Sequence, residues 1–244
     1  RVQTNIDEKN LYIEVSDEGM GIPEDEKEHM FERFFRSRNV TNIQGTGLGL
    51  NIVAKYLEVM NKNIEAVYKG QTIEELQQAV NTLNRVADAE KTKWEPYYYS
   101  AFGSVMMANR EKDAIKKDGY LDLALVAVEK AKAIKENESE IIAMEGFIHM
   151  IRLTVDPATR GQQYSGMAMQ NFGKAIELNP ENPRALSLLA QMQFGTARFF
   201  NSPATEACGT VTKALEKFET FKSENPLAPV WGKGMTEALK KNCQ

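Results

Sequence analysis

Cysteine is scarce, with two in 244 residues, Cys208 and Cys243. They have no metal-ligand spacing and no obvious pairing, so they leave the redox compartment open. Histidine is equally rare: His29 sits in a charged stretch and His149 in an apolar one. No apolar run approaches the ~20 residues of a membrane span, and no signal peptide opens the chain at Arg1. An excess of basic residues is also missing. Residues 1–67 carry 8 Lys/Arg and 12 Asp/Glu, a net −4, and the remaining 30 − 8 = 22 and 34 − 12 = 22 cancel. Without a basic stripe in either part, nucleic-acid binding is not expected. After about Thr72 the strand signals vanish as well.

Apolar content is ample at 42%, enough for real cores. Leu11-Tyr12-Ile13-Glu14-Val15 alternates apolar and polar β-formers and predicts a strand. Asp17 follows, at a position suited to accept a hydrogen bond from an adenine amino group. Gly19 and Gly21 let the backbone turn or approach a ligand closely. Ile22-Pro23 closes the turn, and Glu24, Asp25 and Glu26 suit a helix N-terminus. A second cluster, Gly45-Thr46-Gly47-Leu48-Gly49, precedes Leu50, Val53, Ala54, Leu57 and Val59-Met60, which share a helical face. Glycines that open a helix expose backbone N–H groups at its positive end, a setting for an anion. Residues 31–46 form a candidate lid. Its Phe31, Phe34 and Phe35 are placed to pack under a nucleotide, and Arg36 and Arg38 to reach phosphates.

Asp17-x-Gly19-x-Gly21-Ile22, Phe31-Glu32-Arg33-Phe34-Phe35-Arg36 and Gly45-Thr46-Gly47-Leu48-Gly49-Leu50 stand in this order at short spacing. The set resembles the two glycine boxes and the phenylalanine box of sensor histidine kinases, within the wider family of gyrase-type and Hsp90-type ATPases. The resemblance covers about residues 1–67. It implies an α/β-sandwich ATP-binding lobe. Asp17, Gly19, Gly21, Ile22, Phe34, Phe35, Arg36, Gly45, Thr46, Gly47, Leu48 and Gly49 would contact ATP. Phosphoryl transfer to a histidine would follow, with a response regulator or dimer partner downstream, in the cytoplasm. The family's Asn-bearing helix that holds Mg²⁺, and its phosphoacceptor His, do not precede Asp17 in this chain. Neither His29 nor His149 is followed by the expected acidic residue. No catalytic or metal-ligating residue is therefore assigned. The family closes its sheet with a hairpin. Asn63–Val67 is a candidate for its first strand, but Thr72–Val80 is helical in pattern where the second should be.

Beyond Thr72, helical segments are expected at about 72–92, 96–109, 118–135, 139–153, 163–178, 183–198, 205–222 and 230–241. Breaks such as Glu95-Pro96, Asp156-Pro157, Asn179-Pro180 and Asn225-Pro226 separate them. Short links imply antiparallel neighbours. Leu121, Ala124, Leu125, Val128 and Ala131 share a face, and the small Ala143, Gly146, Ala185 and Ala190 would permit close packing. Ala175–Ala185 is similar to the end of a tetratricopeptide repeat. Ala133 onward aligns with it at an offset of 175 − 133 = 42, and Asn225-Pro226 with Asn182-Pro183 at 225 − 182 = 43. The standard period is ~34. Residues 71–244 thus resemble a degenerate tetratricopeptide array, whose concave face would bind a peptide or protein. Tyr97-Tyr98-Tyr99 reads as packing with at least one ring in the core, and Lys112, Lys116 and Lys117 as a solvated face.

The expected fold is an α+β mosaic: a partial α/β-sandwich ATP-binding lobe over 1–67, then an all-α antiparallel helical-repeat domain over 71–244. No Gly/Ser- or Pro-rich linker marks the join near residues 67–70. A natural fusion, a chimeric reading frame and an engineered fusion all fit it. The loss of a closing strand favours the chimeric frame. The expected function is that of a histidine-kinase ATP-binding lobe fragment joined to a helical-repeat protein-interaction domain; the competing reading is a non-enzymatic scaffold whose kinase-like part is inert.

Overall fold

The computed structural model describes residues 2–6, 11–15, 19–40 and 42–243. It divides into two compact units, Arg1–Lys62 with Ser223–Ala228, and Asn63–Lys222 with Pro229–Gln244.

In the first unit, β1 (Val2–Ile6) pairs antiparallel with β2 (Leu11–Val15), with Val2 opposite Val15 and Ile6 opposite Leu11. Two short 3-10 turns follow, Glu24–His29 and Arg38–Val40. Then comes α1 (Gly49–Lys69), whose C-terminal residues belong to the second unit. The expected strand at Asn63–Val67 is a correction: those residues continue α1. Met60, Ile64 and Val67 recur four and three residues apart and are all buried, so helical periodicity overrode the β-preference of Ile and Val. Among the described residues the sheet has two strands, and the α/β-sandwich part of the expected fold is reduced to a hairpin and a helix. At the start of α1, Leu50, Ile52 and Val53 remain 46%, 60% and 51% exposed. Leu50 and Val53, the first residues of the expected helical face, are therefore open there.

The second unit continues with α2 (Ile73–Glu90), α3 (Glu95–Arg110), α4 (Ala114–Ile134), α5 (Ser139–Leu153), α6 (Pro157–Leu178), α7 (Pro183–Phe199), α8 (Thr205–Thr220) and α9 (Lys233–Lys240). All eight expected segments are present, and the starts are dictated by local chemistry. Thr72 Oγ1 accepts from Glu75 N at 3.1 Å, and the Glu75 carboxylate accepts from Gln71 N and Thr72 N at 2.8 and 3.2 Å. This reciprocal cap fixes the start of α2. The Asp113, Asp156 and Asn182 side chains cap α4, α6 and α7, with Pro157 and Pro183 at first helical positions.

Antiparallel pairs α3–α4, α5–α6 and α7–α8 stack through their first members, α3 on α5 and α5 on α7. These inner helices start at Glu95, Ser139 and Pro183, so the period is 139 − 95 = 44 and 183 − 139 = 44 residues. Tyr98 and Tyr99 are each 1% exposed, and Tyr97 is also buried, so all three rings of the triplet are core. Leu121, Ala124, Val128 and Ala131 form the buried face of α4 as expected, with Leu125 at its edge.

The link between α1 and α2 is pinned. Gly70 is buried, and Arg110 donates to the carbonyls of Gly70 and Gln71 at 2.7 and 3.2 Å. The small residues of the inner helices are steric requirements. A Cβ on Gly146 would stand 2.5 Å from a ring carbon of Phe172, itself 0% exposed on α6. Gly146→Ala is expected to destabilise by about 1–2 kcal/mol despite the better helix propensity of Ala. Adding Phe172→Leu should return much of the loss in denaturant melts. A neutral or stabilising Gly146→Ala would show that the α5–α6 contact is looser than this.

Candidate functional site

In the first unit the phenylalanine box and the second glycine box fold onto each other, and the first glycine box is tied to Asn39. Gly47 has φ +66°, and a Cβ there would lie 2.4 Å from Phe35 O and 2.6 Å from Phe34 C. Only glycine tolerates both demands. Phe34, itself at φ 66°, donates its backbone N–H to Gly47 O at 3.1 Å. The phenylalanine box and the second glycine box are thereby joined backbone to backbone. Gly21 also has positive φ, and its carbonyl accepts from Asn39 Nδ2 at 2.8 Å. Gly19, Ile22, Gly45 and Thr46 are exposed, Leu48 is half-buried, and Gly49 opens α1. Asp17 lies outside the described residues.

Arg36 and Arg38 are engaged by partners inside the first unit. Arg36 donates to Val40 O at 2.8 Å and also to Ile43 O. Arg38 binds the carboxylates of Asp25 at 2.7 Å and Glu26 at 3.0 Å. Phe34 is 66% exposed with the Arg33 guanidinium over its ring, whereas Phe35 is half-buried near the His29 imidazole. The start of α1 offers exposed N–H groups to an anion, but the cations that would neutralise a triphosphate already have carboxylate and carbonyl partners. Arg36 and Arg38 therefore stand paired with protein groups rather than free to meet a phosphate.

The second unit holds a more developed site. A cleft of about 320 Å³ is lined by Val67, Tyr68, Phe102, Met106, Val230 and Trp231, with Arg110 beside them. Trp231 comes from the irregular segment before α9. Its indole stacks on Phe102 of α3 (centroids 4.8 Å apart, planes at 20°) and on Phe147 of α5 (5.7 Å, 25°). Its Nε1–H donates to the Tyr98 hydroxyl at 3.0 Å, and Val230 N donates to the Tyr68 hydroxyl at 3.4 Å. Burial pushes the Tyr98 and Tyr99 phenols well above their ordinary range. Burial likewise raises that of Tyr68. All three are therefore neutral hydroxyls at any working pH.

A second cavity of about 550 Å³ lies between α5 and α6, beside Ile142, Glu145, His149, Met167 and Lys174. His149 is 5% exposed, and its Nδ1 has no hydrogen-bond partner. Burial lowers its pKa despite nearby Glu145, so the ring is neutral. Among the described residues no cluster of His, Cys, Asp or Glu can hold a metal ion.

At the start of the inner helices lies a buried ion pair. Arg184, 1% exposed, donates to both oxygens of Glu140 at 2.7–3.0 Å, and its guanidinium stacks over Phe221 at 4.3 Å. Burial alone would lower the Arg184 pKa, but Glu140 outweighs it and the net shift is upward. Asn182 Nδ2 donates to Ser139 Oγ at 2.8 Å, extending this polar seam.

The cysteines require a correction. Cys208 of α8 and Cys243, just past α9, form a disulfide with Cα atoms 5.6 Å apart. Thirty-five residues separate them in sequence, a gap that carries no pairing signal. Reading the sequence alone also missed Trp231, a lone aromatic in a loop, and the Glu140–Arg184 pair. For that pair a signal exists: each residue is second in its inner helix, one repeat apart.

Residues 1–84 match the model of the histidine kinase-, DNA gyrase B- and HSP90-like ATPases. The signal transduction histidine-protein kinase ArlS of Staphylococcus aureus is 35% identical over 77 residues, which are 30% of this chain and 17% of that kinase. The chain thus spans about a sixth of the length of the curated relatives it matches. The helical part resembles a different kind of protein. The HusA haemophore from Porphyromonas gingivalis superposes with a TM-score of 0.69 at 26% identity, covering 82% of this chain and 96% of that one. The tetratricopeptide protein TTC0263 from Thermus thermophilus gives 0.46 at 14% identity, covering 80% and 94%. The resemblance to a histidine-kinase ATPase segment expected from the sequence is found, and the expected stack of antiparallel helix pairs is what the second unit shows. Among the described residues no helix is long and apolar enough to cross a membrane.

Proposed function

We propose that this chain acts through its helical half, as a carrier that holds a flat, largely apolar ring ligand of the haem type, and that its kinase-like segment catalyses nothing here. The carrying observation is the likeness to a haemophore over 96% of that protein at 26% identity. The aromatic cleft supports it, because stacked faces and apolar walls suit a porphyrin. Arg110 uses three of its N–H donors on carbonyls and keeps two for a ligand carboxylate. The disulfide points the same way, since such bonds persist in oxidising compartments. That setting differs from the cytoplasm in which histidine-kinase ATPase domains are expected to work, which favours a join of two unrelated parts. A peptide on the inner helices, expected from repeat architecture, would compete for the same aromatic surface.

The kinase-like segment retains both glycine boxes, but its lid cations are bound internally, and phosphoryl transfer rests on positioning and metal neutralisation of phosphate charge. Titration of the full chain with haemin is expected to show saturable binding with a shifted absorbance band. A fluorescent ATP analogue should bind weakly, with or without Mg²⁺, and Asp17→Asn should reduce whatever binding remains. No phosphate should enter the chain. Tight Mg²⁺-dependent ATP binding with phosphate incorporation, and no haemin binding, would reverse the assignment.

A further inference from the structure

Trp231 is the most unusual side chain of the helical unit. It is a large aromatic ring supplied by an irregular segment, yet it sits on two inner helices that are otherwise complete. The segment around it is anchored at its flanks and exposed between them: Pro229 is buried, and a Cβ on Gly232 would stand 2.9 Å from the Phe218 ring. Val230 is 66% exposed, its N–H reaches Tyr68 at a long 3.4 Å, and Gly232 behind it takes φ +110°. The ring itself is well accommodated: near-parallel faces of Phe102 and Phe147 and the Tyr98 hydroxyl at its N–H edge define a planar seat. One side of the indole already borders the open cleft.

We propose that this seat, built by Tyr98, Phe102 and Phe147, is a ring-binding subsite that Trp231 occupies as an internal surrogate, and that a flat aromatic ligand enters by displacing the indole. The naming of a porphyrin as that ligand rests on the function proposed above; the seat itself rests on the geometry alone. The class of ligand follows from the contacts. Two faces at 20° and 25° to the indole select a thin, planar ring, and the neutral phenol at the edge can pair with a ring N–H or with a polar substituent. Displacement gives up one hydrogen bond and two stacked contacts and regains equivalent ones from the ligand. The internal ring thus acts as a competitor that lowers apparent affinity by the fraction of time the seat is filled.

The test compares haemin and metal-free protoporphyrin binding by the full chain and its variants. Removing the competitor in Trp231→Ala should tighten binding about 3- to 10-fold, the worth of one or two stacked aromatic pairs. Removing the seat in Phe102→Ala or Phe147→Ala should weaken it by a similar factor. Weaker binding by Trp231→Ala would show the indole to be a fixed wall of the site and overturn the proposal. If no form binds a porphyrin, the carrier reading fails, and the seat is decided separately with free indole. Indole should raise the melting midpoint of Trp231→Ala and leave the parent chain unchanged; no shift in the variant overturns the seat. If Trp231→Ala does not fold, Trp94→Phe leaves Trp231 as the lone indole. Its Nε1–H resonance should then move to a solvent-exposed position when protoporphyrin or another planar ring binds. A bound ring with that resonance unmoved would overturn displacement.

Discussion

Replacing Glu140 with alanine is expected to lower stability by about 3–5 kcal/mol, among the largest effects of any single change here. The replacement strands the Arg184 guanidinium, 1% exposed, with its paired carboxylate gone. Phe221 still covers one face of the cation, but a ring face is a weak substitute for a bidentate carboxylate. For a chain of this size, ~2–4 °C per kcal/mol corresponds to a drop of roughly 6–20 °C in melting temperature. The double change Glu140→Leu with Arg184→Met should recover most of it, because removing both charges also removes their desolvation penalty. The coupling in a double-mutant cycle checks this directly. Equal stability for Glu140→Ala and the parent chain would mean that water reaches the pair.

Opening the Cys208–Cys243 bond is expected to destabilise the helical unit by about 2–4 kcal/mol, from a loop of 35 residues in the chain-entropy account. Both Cys208→Ser with Cys243→Ser and treatment of the parent with a phosphine reductant should lower the melting temperature by the same amount. The native contacts beneath the bond set how far the damage spreads. Thr236 Oγ1 donates to Ser187 Oγ at 2.6 Å, and Thr236 is 0% exposed, so α9 keeps one buried anchor on α7. Partial fraying of α9 rather than loss of α7 and α8 is therefore the expected reduced state, visible as a small fall in helical circular dichroism. A melting temperature insensitive to reduction would show that the crosslink does not constrain the unfolded chain.

Much of the helical half was legible because its rules are local. Proline and asparagine punctuation set the starts of α6 and α7, and apolar periodicity set the buried face of α4. The repeat emerged from the sequence at offsets of 42 and 43, against the 44 residues between inner-helix starts. What was not legible depends on register between distant segments. Ile64 and Val67 satisfy a strand and a helix equally over five residues, and only their spacing from Met60 selects the helix. Thr72-x-x-Glu75 carries the capping signal of α2 in the sequence itself. Of the site, the glycine and phenylalanine boxes were visible as motifs. The internal use of Arg36 and Arg38 was not, since their carbonyl and carboxylate partners are set by how the first unit folds. Trp231 was invisible for the same reason: nothing near it in sequence announces that Phe102 and Phe147 converge on it.

The stapled helix has a further consequence. A stack of helix pairs has no intrinsic stopping point, and its last pair offers a bare flank on which another pair, or a second molecule, can continue the series. Here α9 lies against α8, turns Glu237, Lys240 and Lys241 to water, and is covalently fixed at Cys208. A further pair approaching α8 on that side would meet a charged helix tethered to it rather than a bare apolar flank.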